Sequence, residues 1–311
     1  MLPILMPSPL PLPGALARQL DTAARELLQP AGGHDVDFSA PAGEAALSGA
    51  DSVSWQVFKN PVALFIGGVA AVLLELAEPR VRTGVWDYSS FRREPVRRLR
   101  RTGLAAMVTV YAARSTAEAM IAGVVRRHDT VAGRTPEGVA YRANDPELLD
   151  WVQATAGFGF SEAYHRYVRP LSTEDRDRFY AESVPAARLY GASTAPRSTA
   201  EMDALFERTR VDLAPSPIIF EFLDIMNTAP IFPAPLRPFQ RMLVRAAVST
   251  TPGWLRERLG LGAGFGIRRG ETPILRLAGQ LADRLMLRSS PAVQACRRLG
   301  LREDHLYRRG H

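Results

Sequence analysis

The chain has 311 residues, 46% of them hydrophobic, a net charge of +7 and a single cysteine. That length suits one large core or two smaller ones, and one cysteine excludes both an intramolecular disulfide and a thiolate metal cluster. The positive charge invites a nucleic-acid partner, but Lys59 is the only lysine, acids interleave the arginines as in Thr173–Arg178, and no aromatic-plus-basic stacking motif accompanies them, so none is expected.

Leu16, Leu20, Ala24 and Leu27 recur at helical spacing and predict an amphipathic helix. The Gly/Ala/Ser-rich stretch 31–52 predicts an irregular linker, so 1–52 is read as one unit and 53–311 as a single helical domain. The first residues lack a charged n-region and are broken by proline, which predicts a cytoplasmic location. From Pro61 to Ala77 the chain is apolar, but the uncharged run Val62–Leu74 falls short of the roughly 20 residues a membrane span requires. It predicts a buried helix, with Gly67 and Gly68 giving clearance to another helix or to a cofactor. Glu75 and Glu78 at its end are the acids nearest such a site. Desolvation would make either a general base, whereas pairing with a neighbouring arginine, the commoner outcome, would make it structural.

The segment from Val96 to Thr109 is basic at its start and small or apolar afterwards. Arg98 and Thr102 share a helix face, continued by Ala105, Ala106 and Thr109, so a flat ligand could approach the backbone. An arginine fork suits carboxylates and the alanines suit a ring, which is the shape of haem. Ser115 and Glu118 have capping-box spacing and predict a helix start. At about 100° per residue, Ile121, Val124, Val125 and Val131 then fall near His128, placing an imidazole on an apolar stripe. Such a ring must hydrogen-bond, titrate or bind a metal; a histidine from a neighbouring helix is the usual axial ligand of haem, and a carbonyl-bonded core histidine is the alternative.

Taken together, Gly84–Phe91, Arg98 with Thr102, His128–Gly133 and Gly138–Val152 (with Tyr141, Asn144, Asp145, Pro146 and Trp151) resemble the catalytic domain shared by latex-clearing rubber oxygenases and the membrane-bound mycophenolic-acid-pathway oxygenase. The resemblance is best over residues 55–195. It implies a mostly helical fold and one b-type haem, with His128 as iron ligand and Arg98 and Thr102 beside the cofactor. Tyr88, Gln153 and Glu78 stand where many members have histidine. Arg101 occupies the place of a distal lysine, and a guanidinium does not ligate iron, which makes it a hydrogen-bond donor or a surface charge.

Asp145, Pro146 and Glu147 predict a helix start, with Trp151 and Val152 pointing inward. Ser198 and Glu201 form a second capping box opening a helix to about Val211, and further helices are expected over 217–227, 236–249, 272–286 and 291–299. Gly260–Gly266 lacks the strand-then-helix context of a dinucleotide loop. Cys296 is read as an apolar filler, His165 as a partly exposed helix residue that could line the distal pocket, and His34, His305 and His311 as inert. The expectation is an all-α domain, with a globin-like core among its possible forms, holding haem b. Arg98, Thr102, Arg101 and Glu78 are its candidate catalytic residues, with Gly67 and Gly68 beside the cofactor. The resemblance implies an oxidoreductase that brings O2 to a lipophilic alkene or isoprenoid. Alternatives are a non-catalytic haem or lipophile binder, a non-haem iron site of His128, His165 and Glu75 or Glu78, and an arginine-rich protein of nucleic-acid or membrane surfaces.

Overall fold

Asn60 starts the helix on which the rest is built: its carboxamide oxygen accepts from Val62 N (3.1 Å) and Ala63 N (3.0 Å), and Pro61 follows, where its missing N–H costs nothing. The structure, a computed structural model, describes residues 36–308 and parts of 8–22. The helix expected on Leu16, Leu20, Ala24 and Leu27 lies outside the described residues, as do His34 and His311.

Among the described residues the chain forms thirteen α-helices and one two-stranded ribbon. The first three helices are α1 (Val53–Phe58), α2 (Pro61–Glu75) and α3 (Pro79–Tyr88), and then come α4 (Pro95–Tyr111) and α5 (Arg114–His128). The ribbon follows, β1 (Ala132–Arg134) antiparallel to β2 (Ala140–Arg142), with Gly133 opposite Tyr141. Next are α6 (Pro146–Tyr167), α7 (Thr173–Tyr190), α8 (Thr199–Thr209) and α9 (Pro217–Thr228). The last four are α10 (Arg237–Thr250), α11 (Gly253–Arg258), α12 (Glu271–Asp283) and α13 (Pro291–Arg298). The fold is all-α, as the sequence predicts.

The 22-residue α6 is the axis, touched by α1, α2, α7, α10 and α12. Its closest neighbour is α2, and the reason is glycine. A Cβ on Gly67 would sit 2.8 Å from Gly159 O and 2.8 Å from Phe160 Cα, and one on Gly159 would overlap Gly67 O. No other residue type fits this crossing. Gly279 lets α12 meet the Tyr167 carbonyl in the same way. Trp55, Trp151, Tyr111 and Phe222 are fully buried around these crossings, each contributing about 2–3 kcal/mol by leaving water.

Two buried cations close the body. Arg298 donates to Phe38 O (2.7 Å) and Glu44 O (2.8 Å), so residues 36–52, irregular as expected, are packed onto the domain instead of crossing solvent. Lys59 donates to Asp283 O (2.8 Å) and Leu306 O (3.2 Å) and lies 3.4 Å from the Asp283 carboxylate. Burial pulls this ammonium down to about 8, and Asp283 opposes the shift. The link fastens the C-terminal segment to the start of α2.

The predicted termini fare unequally. Ser198 does accept from Glu201 N (3.2 Å) and caps α8. The box at Ser115 does not form: α5 begins at Arg114, and the Glu44 carboxylate accepts from Ser115 N (2.6 Å) and Ser115 Oγ (3.0 Å). A distant carboxylate has taken the place of the local cap. No single helix is long and apolar enough to cross a membrane; α2 and α3 together reach that length and composition, but the chain bends by 112° between them.

Candidate functional site

Polar groups from three helix segments lie within electrostatic reach of Arg98: the last turn of α2, the first half of α4 and the last turn of α5. Glu75 ends α2, Arg98 and Thr102 lie on α4, and His128 ends α5.

Glu75 and Arg98 share an unusual environment. Both are half-exposed by surface area, yet both are strongly desolvated. Water reaches part of each side chain, while the protein packed around it desolvates the charged group. Burial pushes the Glu75 carboxyl up to about 7, and the Arg98 charge opposes the rise. Burial likewise weakens the charged form of Arg98, with Glu75 restoring it and Arg101 opposing it. Arg98 also donates to Thr102 Oγ1, while Thr102 Oγ1 donates to Arg98 O (3.0 Å).

His128 is half-buried at the end of α5. Its Nδ1 is buried without a partner, and so is Asn144 Oδ1. The two are still close enough for the amide to favour the protonated imidazole. That effect is second to burial, which pushes the ring below its ordinary value, and Arg98 adds to the lowering. The imidazole is therefore neutral near pH 7, the form that ligates a metal. The Asn144 amide is oriented from its other end: Nδ2 donates to Val125 O (3.1 Å) and Asp129 Oδ1 (2.7 Å). The β1–β2 ribbon makes this possible by reversing the chain after α5, held by Ala143 N to Val131 O (2.9 Å) and Tyr88 Oη to Ala132 O (2.9 Å).

The remaining predicted residues are placed elsewhere. Glu78 is spent on structure: one oxygen accepts from Val81 N (2.7 Å) and caps α3, and the other accepts from Arg80 Nε (2.6 Å). The pairing reading of this acid was the right one, and Glu75 is the enclosed carboxyl. The clearance at Gly67 is filled by the backbone of α6, so it is a helix crossing and not a cofactor wall; a Cβ at Gly68 would meet only the Phe160 ring, at 3.9 Å. Arg101 is exposed on α4 beside Arg98. His165 Nδ1 accepts from Leu171 N (3.0 Å), which ties the ring to the loop after α6. Among the described residues no three His, Cys, Asp or Glu side chains converge as a metal-binding group, so the non-haem site of His128, His165 and a glutamate is not assembled. Cys296 is buried and unpaired, with its thiol pushed up to about 12, the inert filler expected. His305 Nε2 pairs with Asp51 (3.1 Å) at the surface.

Half-open side chains continue the site along helix faces. On the otherwise buried α2 they are Leu64, Phe65, Gly68, Val72 and Glu75, at spacings of three and four. On α4 Ala105, Ala106 and Thr109 extend the face of Arg98, and a side chain added at Gly103 would meet nothing within 4 Å. Thr109 Oγ1 lies 3.2 Å from Tyr190 Oη, and burial raises that phenol. Asn144 and Tyr190 are the participants that sequence reasoning missed. Asn144 stood within a quoted motif, but its role depends on the ribbon's reversal; Tyr190 carried no sequence sign at all.

No curated protein and no solved structure matches the chain. One protein family does, described as "ER-bound oxygenase mpaB/B'/Rubber oxygenase, catalytic domain", over residues 55–284. That span contains Glu75, Arg98, Thr102, His128 and Asn144 and extends well past the stretch in which the sequence resemblance is best. The chain belongs to this family of mpaB-type and rubber oxygenase catalytic domains.

Proposed function

We propose that the chain is a haem b-dependent oxygenase in which His128 ligates iron and the half-open helix faces take a lipophilic alkene or isoprenoid substrate. The observation that carries this reading is the His128 ring: desolvated, neutral at pH 7, with Nδ1 buried beside the Asn144 amide and Arg98 nearby. Haem, when bound, would supply O2 activation at its iron. The protein's own part is to bind, orient and manage protons. His128 would offer Nε2 to the metal while Asn144 Oδ1 accepts from Nδ1–H, fixing the tautomer. Arg98 would meet the anionic edge of the cofactor, with Thr102 holding the guanidinium in place. Glu75, the one enclosed carboxyl among these residues whose proton affinity lies near neutrality, would take up or deliver a proton beside the substrate. Leu64, Phe65, Val72 and Phe160 would exclude water and bind an apolar chain.

The test is the visible spectrum of the haem-supplemented protein beside His128→Ala. A Soret band in the parent that is lost or shifted to a free-haem spectrum in the variant supports the ligand; a colourless parent, or an unchanged band in the variant, removes it. Oxygen uptake with a polyisoprenoid and release of aldehyde or ketone separates an oxygenase from a haem protein that only binds. Glu75→Gln should then lower turnover at least tenfold while leaving the Soret band in place.

A further inference from the structure

Tyr190 is a phenol whose hydrogen-bonding capacity is only half used. Thr109 Oγ1 donates to Ala105 O (2.8 Å), which commits its one proton. At the 3.2 Å contact between the two hydroxyls Tyr190 is therefore the donor and Thr109 the acceptor. Among the described residues Thr109 is the sole hydrogen-bond partner of Tyr190, so the lone pairs of Tyr190 Oη meet no donor. Burial raises the phenol, which stays neutral at ordinary pH, and Thr109 opposes the rise. The position is fixed by the backbone. Helix α7 ends at Tyr190 because Gly191 follows with φ 96°, where a Cβ would be strained and would stand 3.0 Å from Leu149 Cδ1. Ala192 N then closes the turn on Ala187 O (2.9 Å).

The pair also stands in line with the candidate site. At about 100° per residue Arg98, Thr102, Ala105 and Thr109 fall within about 60° of one another on α4. That face is polar at Arg98 and Thr102, carries only a methyl group at Ala105, and is polar again at Thr109, about 10 Å along the axis from Thr102. Thr102, Ala105, Thr109 and Tyr190 are all at least partly open. A pure hydrocarbon lying along this face would cover the phenol oxygen and leave it unpaired, which costs free energy. A hydroxyl at the same place would donate to it.

We infer that Tyr190 and Thr109 form the polar end of the substrate face and select a lipophilic molecule that carries a hydroxyl group, whose O–H donates to Tyr190 Oη. The inference deepens the oxygenase reading and rests on it for the choice of face. It narrows the substrate class from an alkene to an unsaturated alcohol, with the hydroxyl held away from the His128 end of the site.

The experiment is equilibrium dialysis of the haem-supplemented full chain under nitrogen, with geraniol and with the hydrocarbon myrcene as probes. Tyr190→Phe should lower the affinity for geraniol by about 3–10-fold and leave that for myrcene unchanged. Geranyl methyl ether, which accepts but cannot donate, should bind parent and variant alike, and this checks the direction of the hydrogen bond without relying on the variant's loss alone. Thermal melts by circular dichroism verify that Tyr190→Phe is folded. Equal weakening of geraniol and myrcene overturns the inference by making Tyr190 a packing residue. An unchanged affinity for geraniol overturns it as well, as does the absence of saturable binding of either probe to the parent. Dialysis reads binding without turnover, so the two readings fail separately. A colourless protein that still shows the selective loss removes the oxygenase and keeps the alcohol site; a haem protein that oxidises alkenes without the selective loss removes the alcohol site alone.

Discussion

Glu75 carries a linkage that can be measured without any ligand. Its carboxyl titrates near 7 in the folded chain against 4.5 when solvated, so between those values the folded state holds the extra proton. Stability from this group is fully present below about pH 4.5 and is lost as pH rises through 7. Glu75→Gln should therefore leave the urea midpoint almost unchanged near pH 4.5 and raise stability by about 1–3 kcal/mol near pH 8. Equal effects at the two pH values would mean that the carboxyl is not enclosed. At His128 the corresponding question is orientation. Asn144→Leu should speed haem loss by about 10–100-fold, and Asn144→Asp should not restore retention, because its second oxygen would face Val125 O and the Asp129 carboxylate where Nδ2 now donates. Haem dissociation kinetics, read with the iron–histidine vibration, distinguish this positioning role from a purely structural one, which would move thermal stability and leave the vibration alone.

The helices differ in how their glycines are used, and two substitutions expose the difference. Gly67→Ala drives a methyl into the backbone of α6 and should cost about 1–3 kcal/mol in chemical denaturation. Gly103→Ala, on α4 where nothing lies within 4 Å, should be neutral or stabilise the ligand-free chain by up to about 1 kcal/mol through helix propensity. Sequence alone treated Gly67 and Gly68 as clearance and left open whether a helix or a cofactor fills it. Only the crossing shows that a helix does. Element boundaries were legible where the signal is local: α8 starts at its capping box, and α9, α10 and α13 lie within a residue or so of expectation, because proline marks the first turn of each and Ser216 and Ser290 cap α9 and α13. The start of α5 was not so legible, since its carboxylate partner comes from Glu44, 71 residues away.

For the whole molecule, the link between Lys59 and Asp283 joins the start of the described domain to its C-terminal segment across more than 200 residues. Lys59→Met would leave Asp283 to Arg169 (3.8 Å), Asn60 and Tyr164 and should cost about 1–3 kcal/mol, seen as a cooperative loss of thermal stability. By itself the sequence determined the all-α class, most helix ends, the family, and the residues worth watching. Those properties follow from local periodicity, proline placement and motif spacing. The tertiary structure decided which of two neighbouring glutamates is a cap and which is an enclosed acid. It also decided that Asn144 faces the imidazole, that His165 Nδ1 is taken up by Leu171 N, and that the acids of α12 point inward. Each of these turns on desolvation and on partners far away in the chain, and spacing along a sequence does not encode either.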